Sequence, residues 1–313
     1  MSKGSSERRP VVLVTEQLAD EAFDWLAERC DAIRAKPGEP AFDAVAPKAE
    51  ALVVRTYTLV TDALLSMLPA LKVVGRGGVG LDNIDLEACA RRDIKVVSTP
   101  DANTQAVVEY VTCLLCDALR PRATLDRPLP KAEWDRLRDE DLVAPWQMNE
   151  LTLGILGLGR IGRRVADVAK AIGFEVLFND LRGIPDDERG DTEPVDVETL
   201  FRNADVLTIH VDGRPSNRHY VGERLLSLMK PDAILLNTSR GMVIDHDALA
   251  AWLTQSPVRM ALLDVHDPEP ITDRNPLLRL DNAHLFPHLA SRTLTATSNM
   301  SWVVRDVVAA LGL

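Results

Sequence analysis

Aromatic residues make up only 4% of this 313-residue chain, and there are four cysteines. A core must therefore be built from Val, Leu, Ile and Ala, which the 46% hydrophobic content supplies. So few cysteines over this length cannot form a disulfide framework, and together with the lack of a secretory leader they point to a reduced, cytoplasmic setting. Cys113 and Cys116 form a CxxC within the apolar run EYVTCLLCDAL. They read as two small residues buried on one helix face rather than as a redox pair. No second Cys or His pair stands at ligand spacing, so no metal site is expected. Long hydrophobic runs are missing too. The polar start MSKGSSERRP and the early break at Thr15, Glu16 and Gln17 exclude a signal-peptide core, and no stretch suits a membrane span. The first nine residues read as a mobile tail. Positive charge is in deficit, 36 Lys and Arg against 47 Asp and Glu, a net −11. That balance argues against nucleic acid or an anionic membrane as partner. It does not argue against a small anionic substrate, because local charge in a cleft decides that.

What the chain does have is alternation. Short β-rich runs are separated by longer helix-like runs, the signature of α/β folding with parallel sheets. Strands are expected near Val11–Val14, Ala51–Val54, Lys72–Gly75 and Lys95–Val97, with helices near Ala19–Arg29, Asp62–Leu68 and Leu86–Arg92 between them. A long helix follows near Thr104–Leu119. The Pro-, Arg- and Asp-rich stretch from Arg120 to Pro145 then reads as an exposed connection or an arm, and Trp134 and Trp146 favour a contact role. A second series has strands at Thr152–Leu156, Glu175–Asn179, Val206–His210, Ala233–Asn237, Met260–Asp264 and Ala283–Phe286. Helices are expected near Ile161–Ile172, Val197–Arg202, Glu223–Leu228 and His246–Leu253. Six such strands fit a doubly wound nucleotide-binding sheet. A last helix near Leu294–Leu311 returns to the first domain. The expected organisation is a discontinuous substrate domain, 1–102 with 287–313, and a Rossmann domain, 103–286.

The most specific local motif is Gly157-Leu158-Gly159-Arg160-Ile161-Gly162. A strand-like LTLGIL enters it, and a helix-like run leaves from Arg160 and Ile161. Gly157 permits the tight turn, Gly159 lets backbone approach a pyrophosphate, and Gly162 lets helix and strand pack closely. The helix start offers free N–H groups to phosphate. Asp180 ends the next strand at the distance where an acid binds adenosine ribose hydroxyls. A carboxylate there repels a 2′-phosphate, so NAD is expected over NADP, although Arg182 stands close by.

Three strand ends carry the candidate chemistry, where open α/β sheets bind ligands. The first runs Asn237-Thr238-Ser239-Arg240-Gly241, and its arginine offers a planar fork to a carboxylate. The second runs Asp264-Val265-His266-Asp267-Pro268-Glu269-Pro270, with Glu269 on a stiffened loop. The third places His288 just past the last strand, with His266 as a second candidate proton donor. Hydride transfer to a 2-keto acid needs such a set: a cation for the carboxylate, a proton donor, and an acid behind it.

At these residues the chain resembles the D-isomer-specific 2-hydroxyacid dehydrogenase family. The likeness covers nearly the whole chain, through VVGRGGVGLDNIDL, GLGRIG, NTSRG, LDVHDPEP and PHLASRT. It implies two doubly wound domains, the substrate domain being flavodoxin-like. Arg240 would bind the substrate carboxylate and keto oxygen, His288 would be the general acid/base, and Glu269 would hydrogen-bond His288. Asp264 would contact the nicotinamide amide, while Val211, Thr238 and Ser239 would touch cofactor. The backbone of Gly77, Gly78 and Val79 would grip the substrate carboxylate. Arg55 matches a cleft-facing arginine of phosphoglycerate-type members and would suit a second anion, 3-phosphoglycerate-like or hydroxypyruvate-like, or even a phosphonate. The family implies a homodimer built through Thr104–Pro145. The acid would lie between the domains, whose closure expels water. No regulatory domain is expected after the second series. The rival reading is an NAD(H)-sensing module of the same fold without turnover.

Overall fold

The computed structural model describes residues 8–313; the tail expected at residues 1–9 lies outside these except for Arg8 and Arg9, which bond Glu50 and the Cys30 carbonyl respectively. The chain divides into two compact units, Met1–Asn103 with Arg292–Leu313, and Thr104–Ser291.

In the first unit β1 (Val11–Val14), α1 (Asp20–Ala27), β2 (Asp31–Arg34), α2 (Pro40–Val45), β3 (Ala51–Val54), α3 (Asp62–Ser66), β4 (Val73–Arg76), α4 (Leu86–Arg91) and β5 (Lys95–Ser98) follow one another. The all-parallel sheet has the order β2-β1-β3-β4-β5, the flavodoxin-like order. β1 from Val12 onward, β3 and β4 are buried on both faces, which is why β1 and β3 read as unbroken apolar runs. β2 went unseen in the sequence because DAIR is a half-exposed edge strand without an apolar run.

The second unit opens with α5 (Thr104–Leu119) and α6 (Lys131–Arg136). The series then runs β6 (Thr152–Leu156), α7 (Arg160–Ile172), β7 (Glu175–Asn179), α8 (Asp186–Arg189), β8 (Glu193–Pro194), α9 (Val197–Asn203) and β9 (Val206–Ile209). It closes with α10 (Glu223–Leu226), β10 (Ile234–Asn237), α11 (His246–Thr254), β11 (Met260–Leu263) and β12 (Ala283–Leu285). The order β12-β11-β10-β9-β6-β7-β8 is a doubly wound Rossmann sheet with its switch point between β6 and β9. There are seven strands rather than six. The unforeseen β8 is a two-residue exposed edge ending in proline, which a sheet tolerates only there.

The chain re-enters the first unit as α12 (Leu294–Ser301) and α13 (Val303–Ala310), not as one helix. The break has a local cause. The buried Ser301 hydroxyl donates back to the Thr297 carbonyl and accepts the Ala19 N–H, competing with helix continuation. Val303, Val304, Val307 and Val308 then pack on the sheet, and Gly75 admits them, since a Cβ there would stand 2.3 Å from Val307 Cγ2. The sequence placed the return at residue 287. Residues 287–291 stay with the second unit because Asp264 ties Leu289 and Ala290 to it.

The Cys113/Cys116 expectation is corrected: both thiols are free, but Cys113 is exposed and Cys116 half-buried. The buried stripe of α5 runs instead through Val107, Val108, Val111, Leu114 and Leu115. Among the described residues, no helix is long and apolar enough to cross a membrane, and no group of three or more His, Cys, Asp or Glu could hold a metal ion.

Candidate active site

The glycine loop sits at the switch point of the second sheet. Gly157 has φ +96°, which L side chains rarely adopt, and a Cβ there would meet Val211 Cγ1 and the His210 carbonyl carbon at 3.0 Å. Gly162 is equally forced, since its Cβ would lie 2.2 Å from the Gly157 carbonyl oxygen. At Gly159 nothing stands within 4 Å, so that face of the loop is open. α7 starts there without a side-chain cap, leaving its first N–H groups for an anion. Beside the loop, Asp180 accepts the Leu158 N–H at 2.9 Å and the Arg182 N–H at 2.9 Å. Thr238 is buried and its hydroxyl has no partner, while the Ser239 hydroxyl donates to Asn237 Oδ1 at 2.8 Å. An open glycine cradle, an uncapped helix start and an orphaned hydroxyl fit a dinucleotide.

The segment after β9 builds a charged turn. Asp212 and Arg214 pair in a tight turn, and Asn217 donates to the Asp212 carbonyl at 2.9 Å. Arg214 also feels the charge of Asp180, and Asp212 that of Arg240. These residues were missed by the sequence reading. His210 before them is no rival acid/base, because burial pushes its imidazole down to about 4.

Arg240, Glu269 and His288 all belong to the second unit and are tied together by backbone. Asn237, fully buried at the end of β10, accepts the Ser239 N–H and donates to the Arg240 carbonyl at 3.0 Å, shaping the NTSRG turn. Arg240 itself is half-buried, and its Nη1 donates to the Ser239 carbonyl at 2.7 Å. Gly241 lies on the next loop, where a Cβ would stand 2.0 Å from the His266 carbonyl carbon. The His266 N–H then donates to Glu269 Oε1 at 2.9 Å, and Glu269 Oε2 lies 2.8 Å from His288 Nδ1. Burial alone would raise the Glu269 carboxyl, but the bonds from His288 and His266 outweigh it and hold the group below its usual range. An ionised Glu269 can only accept, so Nδ1 of His288 carries a proton and Nε2 is left for a substrate.

His288 sits at φ +56°, a left-handed conformation uncommon outside glycine. Asp264 holds it there. This carboxylate is fully buried and accepts the Leu289 and Ala290 N–H groups at 2.7 and 2.8 Å. Burial pushes its carboxyl up against those two bonds. Tyr110 of α5 borders Asp264, and burial plus that charge push its phenol up to about 12. His266 is removed as a proton donor: it is 8% exposed and its Nε2 bonds the Phe286 carbonyl at 2.8 Å.

In the first unit the Gly77–Val79 expectation needs one correction. The Gly77 N–H donates to the Val54 carbonyl and the Gly78 N–H to Thr99 Oγ1, both at 2.9 Å, so neither is open to a ligand. Among the described residues, the N–H groups of Val79 and Gly80 make no hydrogen bond, and Gly80 had been missed. Arg55 is half-buried, with its Nη1 3.3 Å from the Gln17 carbonyl.

Residues 112–290 match the family model described as D-isomer specific 2-hydroxyacid dehydrogenase, NAD binding domain. The chain is 35% identical over 311 residues to glyoxylate reductase of Aeropyrum pernix, covering 96% of this chain and 92% of that one. It is 33% identical over 300 residues to D-3-phosphoglycerate dehydrogenase of Archaeoglobus fulgidus, covering 94% of this chain but only 56% of that relative. A solved structure of D-lactate dehydrogenase from Aquifex aeolicus, complexed with NAD and lactic acid, superposes with a TM-score of 0.80 at 27% identity, covering 96% of this chain and 94% of that one.

Proposed function

The chain belongs to the D-isomer specific 2-hydroxyacid dehydrogenase family, and we propose that it is an NAD-dependent enzyme interconverting a small D-2-hydroxy acid and its 2-keto acid. The observation that carries this is the linked set of Arg240, Glu269 and His288 on three consecutive strand ends beyond an open glycine loop.

Bound on that loop, the nicotinamide dinucleotide supplies or accepts the hydride. The remaining work falls to the chain. The Arg240 fork holds the substrate carboxylate and polarises the keto oxygen. His288 gives a proton from Nε2 to that oxygen in reduction and takes it back in oxidation. Glu269 fixes the ring orientation and faces the imidazolium with a full negative charge. The open N–H of Val79 is assigned to the substrate carboxylate, Gly77 and Gly78 shaping its turn, and Arg55 to a second anion. Val211, Thr238, Ser239 and Asp180 are assigned to the cofactor. Asp180 makes that cofactor NAD.

The segment after α5 exposes Leu125, Trp134, Val143 and Trp146, an apolar set suited to burial by a second copy. We assign a homodimer to it, and a cytoplasmic setting in keeping with four free cysteines. Light scattering on the native chain and on Trp134→Glu checks the dimer.

The test of the activity is a scan of 2-keto acids with NADH and NADPH, followed by absorbance, on the native chain and on His288→Ala. Turnover with NADH should fall by about 10²–10⁴ in the variant. Near-native turnover of His288→Ala would remove the histidine from this role, and binding of NADH without oxidation by any acid would favour a sensor.

A further inference from the structure

In the second unit, the loops after β11 and β12 meet at a histidine that the proposed chemistry leaves unused. His266 is buried, and it reaches both Glu269 and the turn that carries His288. Its backbone N–H donates to Glu269 Oε1 at 2.9 Å, and its ring Nε2 lies 2.8 Å from the Phe286 carbonyl oxygen. That same oxygen accepts the His288 N–H at 3.1 Å, and His288 Nδ1 returns to Glu269 Oε2 at 2.8 Å. These four hydrogen bonds close a ring, from Glu269 through His266, Phe286 and His288 back to Glu269.

The ring fixes the backbone between β12 and His288. Phe286 is anchored first: its N–H donates to the Leu263 carbonyl at 2.8 Å, and its ring stands edge-on to Tyr110 with centroids 6.2 Å apart. The soft torsions from there to the His288 nitrogen are ψ of Phe286 and φ and ψ of Pro287. The pyrrolidine ring locks φ of Pro287. The His288 bond to the Phe286 oxygen closes a three-residue turn and sets ψ of Pro287. What is left is ψ of Phe286, the direction of its carbonyl, and the His266 imidazole holds that direction. Using histidine here has a cost. A carbonyl oxygen only accepts, so Nε2 carries the proton and Nδ1 is left as an acceptor. Nδ1 is buried and makes no hydrogen bond among the described residues. Packing alone would favour an apolar ring, which fills the same space without an unpaired nitrogen but leaves the carbonyl free to turn.

We propose that His266 is a positioning residue for the proton transfer: its imidazole, protonated at Nε2, orients the Phe286 carbonyl and through it aims His288 at the substrate oxygen. It acts through Phe286 and Glu269 rather than on the reacting atoms. This rests on the dehydrogenase reading above and adds to it a residue whose hydrogen bond, rather than its volume, is used. Misplacing a reacting group by about 1 Å costs on the order of 10²-fold in rate, so loss of this brace is read in kcat.

The test compares the native chain with His266→Phe, which keeps a ring, and His266→Gln, whose amide N–H can reach the Phe286 oxygen. Each is assayed with NADH and the 2-keto acid that the native chain turns over best. His266→Phe should lower kcat by about tenfold to hundredfold with KM for NADH unchanged, while its thermal midpoint stays level or rises. A merely structural role would move stability and activity together. His266→Gln should recover most of the lost kcat. If the phenylalanine variant does not fold, His266→Met, close in length to glutamine but without a donor, takes its place. Nitrogen NMR of the native chain should find the His266 proton on Nε2, and in His266→Phe the His288 ring should lose its strict Nδ1–H form. Native kcat in His266→Phe overturns the proposal and leaves the dehydrogenase reading intact. So does a glutamine variant no better than phenylalanine, or a His266 proton on Nδ1. Absence of turnover of any 2-keto acid by the native chain removes the dehydrogenase reading instead, and a changed His288 tautomer in His266→Phe then still supports the brace.

Discussion

Replacing Glu269 by glutamine should lower kcat/KM by about three orders of magnitude, and the geometry says why. The carboxylate now accepts twice, from the His266 N–H at 2.9 Å and from His288 Nδ1 at 2.8 Å. An amide has one oxygen and one NH2, so one of these bonds must reverse. If the NH2 faced the His266 N–H, two donors would meet beside a buried backbone, at a cost of about 1–3 kcal/mol. The amide therefore keeps its oxygen on His266 and presents NH2 to His288. That forces the Nδ1 lone pair toward the amide and moves the ring proton to Nε2. The imidazolium also loses its counter-charge. Two unit charges about 4 Å apart interact by roughly 4 kcal/mol at an effective dielectric of 20, and the two side chains are only 32% and 26% exposed. At 1.36 kcal/mol per decade this is about 10³ in rate. With cofactor affinities unchanged, the fixed reaction equilibrium requires the same loss in kcat/KM for oxidation and reduction. Steady-state kinetics in both directions give the first number, and nitrogen NMR of the His288 ring reads the tautomer. A loss below tenfold, or a ring still protonated at Nδ1, would refute this account.

Gly241→Ala should destabilise the second unit by about 3 kcal/mol or more, because its Cβ meets backbone at 2.0 Å, and thermal unfolding measures it. Asp180→Ser should raise the NADPH-to-NADH ratio of kcat/KM at least about tenfold, since the charge opposing a 2′-phosphate is gone while Arg182 and Arg214 remain. Glu16 gives a pH test. Burial would raise its carboxyl, but four backbone N–H groups win and hold it below its usual value. A depressed folded pKa contributes stability that is present above the unfolded value of about 4.3 and disappears as pH falls through the folded one. Denaturant unfolding of Glu16→Gln should thus show a smaller loss of stability than the native chain in the acid range below pH about 4.

Much of this was legible because parallel strands buried on both faces cannot hide. Val11–Val14, Ala51–Val54, Thr152–Leu156 and Glu175–Asn179 read as strands at their observed bounds. The glycine loop was legible for the same kind of reason, since only glycine meets the positive φ of residue 157 and the 2.2 Å approach at residue 162. What escaped were features with no local signal. Edge strands β2 and β8 carry no apolar run. The break at Ser301 depends on Ala19, which is distant in sequence. Which N–H groups of the Gly77–Gly80 loop are open depends on Val54 and Thr99, and no motif encodes those partners.

The position of His288 follows from a competition between local strain and buried charge. A histidine in the left-handed region costs about 1–3 kcal/mol, and an exposed loop would relax it. Asp264 opposes that relaxation with two bonds to the next residues, each to a charged acceptor and worth about 1.5–3 kcal/mol. The sum exceeds the strain, so the conformation persists. The arrangement works only while Asp264 stays ionised in a fully buried place, and those same two N–H groups are what offset its desolvation. Strain at His288 and charge at Asp264 therefore sustain each other: releasing either N–H would free the loop and push the carboxyl further toward its neutral form. Glu269 meets the histidine from the other side, on a loop registered by Gly241 against His266. The imidazole is thus aimed before any ligand arrives, by groups that touch neither substrate nor hydride.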